Sequence, residues 1–243
     1  MTETTKTAQK DTYEHLFEIG AHFGYASARR HPSVKPFILG SKNKVEIFDL
    51  EKTSVALEEA KEAMKELGSE GKKVLFVSSK GEAREIIKSV AESIDMPYVA
   101  GRWIGGTITN FPEIRKRVQK LIDLTDQKEK GQLAKYTKKE RLMIDRDIEA
   151  LTNMFEGILT MPKLPQAVVV VDPKKESIAI DEATQKGITT FALASSDCDI
   201  SSITYPIPAN DSARKSIAYF MKELAEAYTE GKKSPRTPET KKK

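Results

Sequence analysis

Several features that define protein classes are missing from this 243-residue sequence. Its single cysteine, Cys198, excludes an internal disulfide framework and fits a reducing compartment. No run of about 18 or more apolar residues is present, so no transmembrane helix is predicted. The first residues lack the apolar stretch of a secretory signal. We therefore expect a soluble cytoplasmic protein.

Sequence patterns for metal binding and nucleophilic catalysis are missing as well. The three histidines, His15, His22 and His31, lack partners at the i, i+4 spacing that places two ligands on one helix face, and the only thiol is distant in sequence. A zinc site or a catalytic triad therefore has no local motif. We expect no catalytic residue, no metal and no cofactor.

Phosphate-binding and magnesium-binding motifs are weak. Lys80 lies in a Ser-Ser-Lys-Gly turn after a predicted strand, but the Walker spacing is absent, so an ordinary strand-to-helix turn is favoured over nucleotide binding. Acidic residues follow several predicted strands, and capping or turn roles are favoured over a magnesium site. The acidic residues are Asp172, Asp197, Asp199 and Asp211. For Asp211, we expect a capping role before the final helix.

Positive charge is concentrated in two segments. The formal net charge is +4, but residues 231–243 hold six Lys/Arg and one Glu, and without them the net charge is −1. The body is not globally basic, so a nucleic-acid partner must be argued from local clusters. Residues 29–44 form such a cluster, with five Lys/Arg and no acid. Prolines and a glycine in this segment predict an extended, non-helical path.

Apolar runs alternate with amphipathic helical patterns through most of the chain. This alternation is typical of βαβ units, whose strands are buried on both faces. The sequence therefore predicts an α/β fold built on a doubly wound parallel sheet. The predicted strands are 45–50, 72–77, 96–100, 167–172, 188–194 and 204–208.

Residues 111–155 do not fit this alternation. Apolar residues recur at a–d spacing in 111–127 and in 136–155, and Thr137 with Glu140 forms a capping-box signature for the second segment. Two such helices joined by a short polar turn predict an antiparallel coiled-coil hairpin that projects from the sheet.

These patterns divide the chain into one domain with an insertion. We expect the α/β sheet domain at 13–110 and 156–230, with a short helix starting within 13–28, and the inserted hairpin at 111–155. Residues 1–12 are polar and predicted to be disordered, and 231–243 are predicted to form a basic disordered tail.

The most distinctive string is GRWIGGTITN, residues 101–110, where the second buried strand ends. Ligands of open parallel sheets bind at this end of the strands. The glycines of this string permit the backbone to approach a phosphate closely. Its arginine can bind a phosphate through two hydrogen bonds, and its tryptophan can stack on a base. A tight turn with the tryptophan plugging the core explains the string equally well. The cations at 115–117 follow directly and extend the same basic surface.

Three strings resemble the bacterial members of the small-subunit ribosomal protein 2 family. The first is GAHFGYASARRHPSVKPFILGSKNKVEIFDLEKT at 20–53. The second is GRWIGGTITNF at 101–111, and the third is LPQAVVVVDPKKESIAIDEATQKGI at 164–188. Together with IPANDSARKSI, the resemblance covers roughly residues 13–230.

The sequence departs from the family pattern at a few positions. Tyr25 replaces the usual histidine, and His31 stands where tryptophan is common. Residues 161–163 replace methionine-glycine-glycine, residues 194–196 replace valine-aspartate-threonine, and Ala209 replaces a glycine. These changes affect contacts near the N-terminus and in the last loops, and they leave the glycine loop intact.

The resemblance implies a flavodoxin-like sheet with an inserted helical hairpin and a structural, non-enzymatic role in the small ribosomal subunit. It implies a cytoplasmic, ribosome-bound location between the head and body of that subunit. The implied partners are small-subunit ribosomal RNA and neighbouring ribosomal proteins, including the large one that captures messenger RNA. No membrane partner and no homo-oligomer are expected.

We expect RNA binding through phosphate contacts from clustered cations, with base stacking at the tryptophan. Two alternatives remain: a nucleotide or sugar-phosphate enzyme that uses Lys80 and the strand-end aspartates, and a coiled-coil adaptor that binds protein through the hairpin. The expected RNA-binding residues are Arg29, Arg30, Lys35, Lys42, Lys44, Arg102, Trp103, Gly105, Gly106, Thr107, Thr109, Asn110, Arg115, Lys116 and Arg117.

Overall fold

A computed structural model describes residues 13–234, so the terminal segments expected to be disordered, 1–12 and most of 231–243, lie outside the described residues. The strands are β1 (Phe23–Ala26), β2 (Ile38–Lys42), β3 (Val45–Phe48), β4 (Val74–Val77), β5 (Tyr98–Val99), β6 (Ala167–Val171), β7 (Thr189–Ala194) and β8 (Tyr205–Pro208). The helices are α1 (Leu50–Ser69), α2 (Gly81–Ser93), α3 (Phe111–Glu129), α4 (Lys138–Phe155), α5 (Ser177–Gln185) and α6 (Arg214–Lys233).

Strands β4 to β8 form one parallel sheet in the spatial order β5-β4-β6-β7-β8. In chain order this is 2-1-3-4-5, the order of flavodoxin-like doubly wound sheets. All residues of β4 and β6 are buried, which explains why these strands read as unbroken apolar runs. The predicted parallel α/β sheet is confirmed.

Helices cover both faces of the parallel sheet. Helices α1, α2 and α6 pack on one face, where they contribute Leu57, Ile87 and Phe220 to a continuous core. Helix α5 and parts of α3 and α4 pack on the other face. Since successive strand residues point to opposite faces, Phe76 of β4 belongs to the first core and Leu75 to the second. None of the helices within residues 13–234 is long and apolar enough to cross a lipid bilayer.

Helices α1 and α6 approach each other at two glycines. Gly68 lies against the carbonyl of Tyr228, and Gly231 lies against the carbonyl of Lys65, so a Cβ at either glycine would overlap the facing oxygen. Helix α6 continues to Lys233 because Gly231 belongs to this contact. The expected boundary at 230 between the sheet domain and the basic tail stays a prediction, and α6 extends three residues past it.

Strands β1, β2 and β3 form a second, antiparallel sheet in the order β1-β3-β2. Only β3 was predicted, and the helix expected to start within 13–28 covers 13–18. The extended path predicted for 29–44 is correct at β2 but wrong at Pro32–Phe37, which forms a 3-10 helix. Proline suits the first turn of a helix because its missing N–H has no helical partner there.

Helices α3 and α4 lie side by side in the segment predicted as a hairpin. Ion pairs join Lys128 to Asp145 at 2.7 Å and Lys120 to Asp147 at 3.7 Å, a pattern that fits opposite chain directions. The capping box of Thr137 and Glu140 is present at the start of α4. The coiled-coil character of this pair stays a prediction.

Candidate nucleic-acid interface

The glycine loop, residues 101–110, is organised around the carboxylate of Glu182 on α5. Oε1 accepts the Trp103 indole N–H at 3.1 Å and the Gly106 amide at 2.8 Å. Oε2 accepts the amides of Ile108 and Thr109 at 3.0 and 2.9 Å, and the Thr109 hydroxyl at 3.0 Å. One buried acid therefore satisfies five donors of the loop.

These hydrogen bonds lower the pKa of Glu182. Burial alone would raise the pKa, but the amides of Thr109 and Gly106 and the indole of Trp103 favour the charged form and prevail. The loop thus resembles an anion-binding nest whose anion is supplied by the protein itself.

Most of the loop donors that we expected to contact RNA are occupied inside the protein. Trp103 is buried, with 7% of its surface exposed, so its ring is not a free stacking face. Thr107 is also buried, and its hydroxyl donates to the Ile104 carbonyl at 2.6 Å. Gly106 has a φ of +90°, which favours glycine. Burial or bonding to Glu182 thus gives Trp103, Gly106, Thr107 and Thr109 structural roles, and an RNA contact by any of them stays a prediction.

Three residues of the glycine loop remain accessible. Arg102, Gly105 and Asn110 are exposed. Within residues 13–234 the Arg102 side chain has no hydrogen-bond or ion-pair partner, and Asn110 makes no side-chain capping bond to α3. The loop therefore presents one free guanidinium and one free amide on a rigid support.

The basic segment 29–44 is held at the carboxyl edge of the parallel sheet. The His31 amide donates to the Ser196 carbonyl at 2.8 Å, and the Tyr25 amide donates to the Ser196 hydroxyl at 2.8 Å. Ser196 is the second residue after β7, so these bonds fix the antiparallel sheet beside the strand ends. Among the described residues, four exposed side chains of the segment have no acidic partner: Arg29, Lys35, Lys42 and Lys44.

Arg30 differs from the other cations of this segment. Its guanidinium lies 3.3 Å from Glu46, whose side chain is 1% exposed, so the pair neutralises a buried acid of β3. Removing the arginine would leave that acid uncompensated. Arg30 is thus a structural residue as well as a candidate for RNA contact.

The three cations that begin α3 are not equivalent. Arg115 donates to the Met161 carbonyl at 3.3 Å and Lys116 pairs with Glu113 at 2.7 Å. Arg117 is exposed without a partner among residues 13–234. Only the last is free to neutralise an external charge without giving up a protein contact.

Lys80 lies in a buried polar cluster at the carboxyl ends of the strands. Its ammonium is 2.9 Å from Asp211 and 3.3 Å from Asp172, and it donates to the Tyr25 hydroxyl at 3.4 Å. The Tyr25 and Ser212 hydroxyls are 2.8 Å apart. The hydroxyl of Tyr25, at the position of the usual histidine, is therefore part of this cluster.

Charge neutralisation explains the strand-end acids. Ligand atoms of Asp172, Cys198 and Asp211 lie within 4.8 Å of one another, and the Lys80 ammonium supplies positive charge between the two carboxylates. Lys80 is only 11% exposed, so it is not presented to a phosphate. This burial argues against the enzyme alternative that used Lys80.

The capping role expected for Asp211 is wrong. Asp211 is fully buried against Lys80, while the Asn210 side chain accepts the amides of Ser212 and Ala213 before α6. Burial raises the pKa of Asp211 to about 6, although Lys80 opposes the shift. One carboxylate oxygen, Oδ2, has no hydrogen-bond partner within the described chain.

The remaining strand-end acids make different contacts. Asp197 pairs with Lys174, 23 residues away, at 2.9 Å, whereas Asp199 accepts the Ser201 amide at 2.9 Å. Of these two acids, Asp199 has the turn role favoured from the sequence. His31 accepts the Ser33 amide as the N-cap of the 3-10 helix, so this second departure from the family pattern also has a structural role.

The fold and its surfaces define an α/β protein with a parallel sheet, which satisfies its buried acids with internal hydrogen bonds or ion pairs and exposes unpaired cations beside the strand ends. The family model described as Ribosomal protein S2 matches residues 16–231, and the chain belongs to this family. Members of this family are structural proteins and not enzymes, so the expected absence of enzymatic activity and the ribosomal, cytoplasmic assignment are confirmed at the level of the family.

Individual relatives agree with the family assignment over most of their length. The small ribosomal subunit protein uS2 of Roseiflexus castenholzii is 44% identical over 217 residues, which cover 89% of this chain and 82% of that protein. The protein of the same name from Sulfurimonas denitrificans is 42% identical over 221 residues, with coverages of 91% and 85%. That of Dictyoglomus thermophilum is 41% identical over 217 residues, with coverages of 89% and 88%.

Proposed function

We propose that this chain is a structural constituent of the small ribosomal subunit that binds ribosomal RNA through cations fixed at the carboxyl edge of its sheet. The observation that carries the proposal is the set of exposed, unpartnered side chains on segment 29–44. Arg102 and Arg117 add two free guanidiniums beside the glycine loop. Family membership makes ribosomal RNA the natural polyanion for these groups.

Such cations fix the position of the protein on the RNA more than they read the base sequence of the RNA. Arginine and lysine contacts to phosphates fix the orientation of a protein on nucleic acid, while base identity is read elsewhere. A rigid sheet keeps the distances between the cations constant, so the cations can match phosphates whose positions are fixed in a folded RNA. If about five of them contact phosphates, log affinity should fall with log salt concentration at a slope of about −4.

The hairpin completes the proposed organisation. We assign 13–110 and 156–230 to the sheet domain and 111–155 to an inserted coiled-coil hairpin, whose apolar seam packs at its base and whose charged sides face outwards. In the subunit we place the protein between head and body, beside neighbouring ribosomal proteins that include the large one capturing messenger RNA. The hairpin and the basic segment then offer separate contacts.

The experiment is sedimentation of ribosomal particles from cells that express tagged chain. The wild-type protein should travel with the small subunit. A variant with alanine at Arg29, Lys35, Lys42 and Lys44 should shift largely to the top of the gradient. The control is Lys186→Ala, because Lys186 is exposed at the opposite edge of the sheet, before β7. Free wild-type chain, or equal behaviour of the two variants, would refute the proposal.

A further inference from the structure

A cleft lies beside the edge strand β5, outside the basic segment and outside the expected RNA-binding residues except Arg102. It has a volume of roughly 530 Å³, within the range of small-ligand sites. Helix α2 forms one wall, the end of α4 forms another, and the residues that follow β5 form the floor. We call it the edge-strand cleft; the lining residues used below are Arg84 and Lys88 of α2, Arg102 after β5, Asn153 and Met154 of α4, and Glu156.

The charge of the edge-strand cleft is not balanced by the protein. Lys88 is held by Glu156 at 3.1 Å and lies over the Tyr98 ring, 5.9 Å from its centroid. Arg84 and Arg102 have no acidic partner among residues 13–234. The acid next to Arg84 in sequence, Glu85, pairs with Arg214 at 2.6 Å instead. Two guanidiniums therefore face this cleft with their charge unused.

The chemistry of the walls suits a nucleotide. Two guanidiniums can share the oxygens of one phosphate as planar, bidentate donors. On the α4 side of the cleft, Met154 is 45% exposed and offers an apolar, polarizable surface, while the Asn153 amide can donate to and accept from a base edge. A phosphate in a continuous duplex would leave this second wall unused.

We propose that the edge-strand cleft binds one unpaired RNA nucleotide, with its phosphate between Arg84 and Arg102 and its base against Met154 and Asn153. Proteins that recognise RNA commonly use such splayed-out bases in loops and bulges. The inference rests on the proposed RNA-binding function and adds a second, separate contact to it. It also gives Arg102 a phosphate-binding partner residue, Arg84, that the sequence did not indicate.

The test is fluorescence anisotropy of the full chain with labelled single-stranded hexauridylate and with a 12-base-pair RNA duplex. Arg84→Ala should weaken single-strand binding about five- to tenfold, the usual effect of losing a charge-assisted contact. The salt slope on the single strand should become shallower by about 0.7, the value for one phosphate. Duplex binding should change less than twofold, and circular dichroism should show an intact fold.

Matched variants separate this inference from the proposed function. Lys186→Ala should leave both affinities unchanged, and Asn153→Ala with Met154→Ala should weaken only single-strand binding. If Arg29→Ala weakens RNA binding while Arg84→Ala does not, the cleft inference fails and the proposed function stands. If neither weakens it, the proposed function fails as well.

Competition identifies the source of the bound group. Free uridine monophosphate should compete for the cleft at least tenfold less well than the strand, and polyglutamate should not compete. If the mononucleotide competes as well as the strand, the site binds free nucleotides and its assignment to RNA is overturned. If polyglutamate competes equally, the occupant is an acidic peptide and the assignment is overturned in the same way.

Discussion

The indole N–H of Trp103 donates to the carboxylate of Glu182 at 3.1 Å, across the space between the glycine loop and helix α5. The same carboxylate binds three loop amides, so the conformation of the loop depends on an acid far away in sequence. Through this contact α5 helps to position the loop residue Arg102, which also lines the edge-strand cleft.

Glu182→Gln should destabilise the protein and loosen the glycine loop. The amide group would place an N–H against loop donors and leave at least one of them unsatisfied, at a cost of about 1–3 kcal/mol in the free energy of unfolding. Trp103 is the only tryptophan, so its fluorescence should shift to the red in the folded variant. Urea unfolding followed by fluorescence measures both effects. The control is Asp181→Asn, which removes the same charge from an exposed neighbouring residue. It should change neither the free energy of unfolding nor the tryptophan emission.

Acid should weaken the same contact in the wild-type protein. Because the folded-state pKa of Glu182 lies below its ordinary value, its stabilising effect is present above about pH 4.5 and is lost as pH falls through the folded pKa. Tryptophan emission should therefore move to the red in the acid range below pH 4.5. An emission maximum that stays constant until global unfolding would contradict this role of the carboxylate.

Lys80→Met should destabilise the chain by about 3–5 kcal/mol, because it leaves the buried Asp211 and the nearby Asp172 without their cation. Adding Asp211→Asn should recover part of that loss. Chemical denaturation of the wild type, the two single variants and the double variant gives a double-mutant cycle, which measures the interaction energy between Lys80 and Asp211. Additive effects of the two substitutions would show that the cluster is not an interacting unit.

The stability contribution of Asp211 should fall with rising pH. Its folded-state pKa is raised to about 6 by burial, so the folded protein holds this proton more tightly than the unfolded chain. The contribution is full below about pH 4 and is lost as pH rises through about 6. The difference in unfolding free energy between the wild type and Asp211→Asn should therefore decline across that interval. A constant difference would rule out the titration.

Gly68→Ala should destabilise the chain by about 1–3 kcal/mol or more, because the new Cβ overlaps the Tyr228 carbonyl and pushes α1 from α6. Gly81→Ala is the matched control: Gly81 is the first residue of α2, and a Cβ there meets no atom within 4 Å. Thermal unfolding of both variants measures the contrast. Equal midpoints would mean that the helices shift without cost.

The sequence predicted the parallel sheet well because its signal is local. Residues such as Val168 and Val170 form unbroken apolar runs only in strands covered on both faces, and the helices between them follow a 3.6-residue period. The capping box at Thr137 is equally local. The antiparallel sheet was harder, since β1 and β2 are short and largely exposed and therefore lack a clear apolar alternation. In addition, β1 pairs with β3, which lies about 20 residues further along the chain.

The sequence predicted where the glycine loop lies in the fold, but it did not predict that the loop binds Glu182. Its residue types fit phosphate binding, yet the anion that they bind is Glu182, and nothing in the helical pattern around that acid distinguishes it from a solvated one. One signal was available: an acid on the otherwise apolar face that includes Ala179 and Ala183 needs a partner. Lys80 and Asp211 show the same difficulty, because their pairing depends on three loops that meet only in the fold.

The contact between α1 and α6 has a consequence for synthesis. The final helix supplies Phe220, Met221 and Leu224 to the core beneath the sheet, and its last turn closes against Lys65. A growing chain cannot form this core until α6 has left the peptide exit tunnel. Until then the strands lack one of their covering layers, so chains truncated before α6 should be substrates for chaperones and proteases.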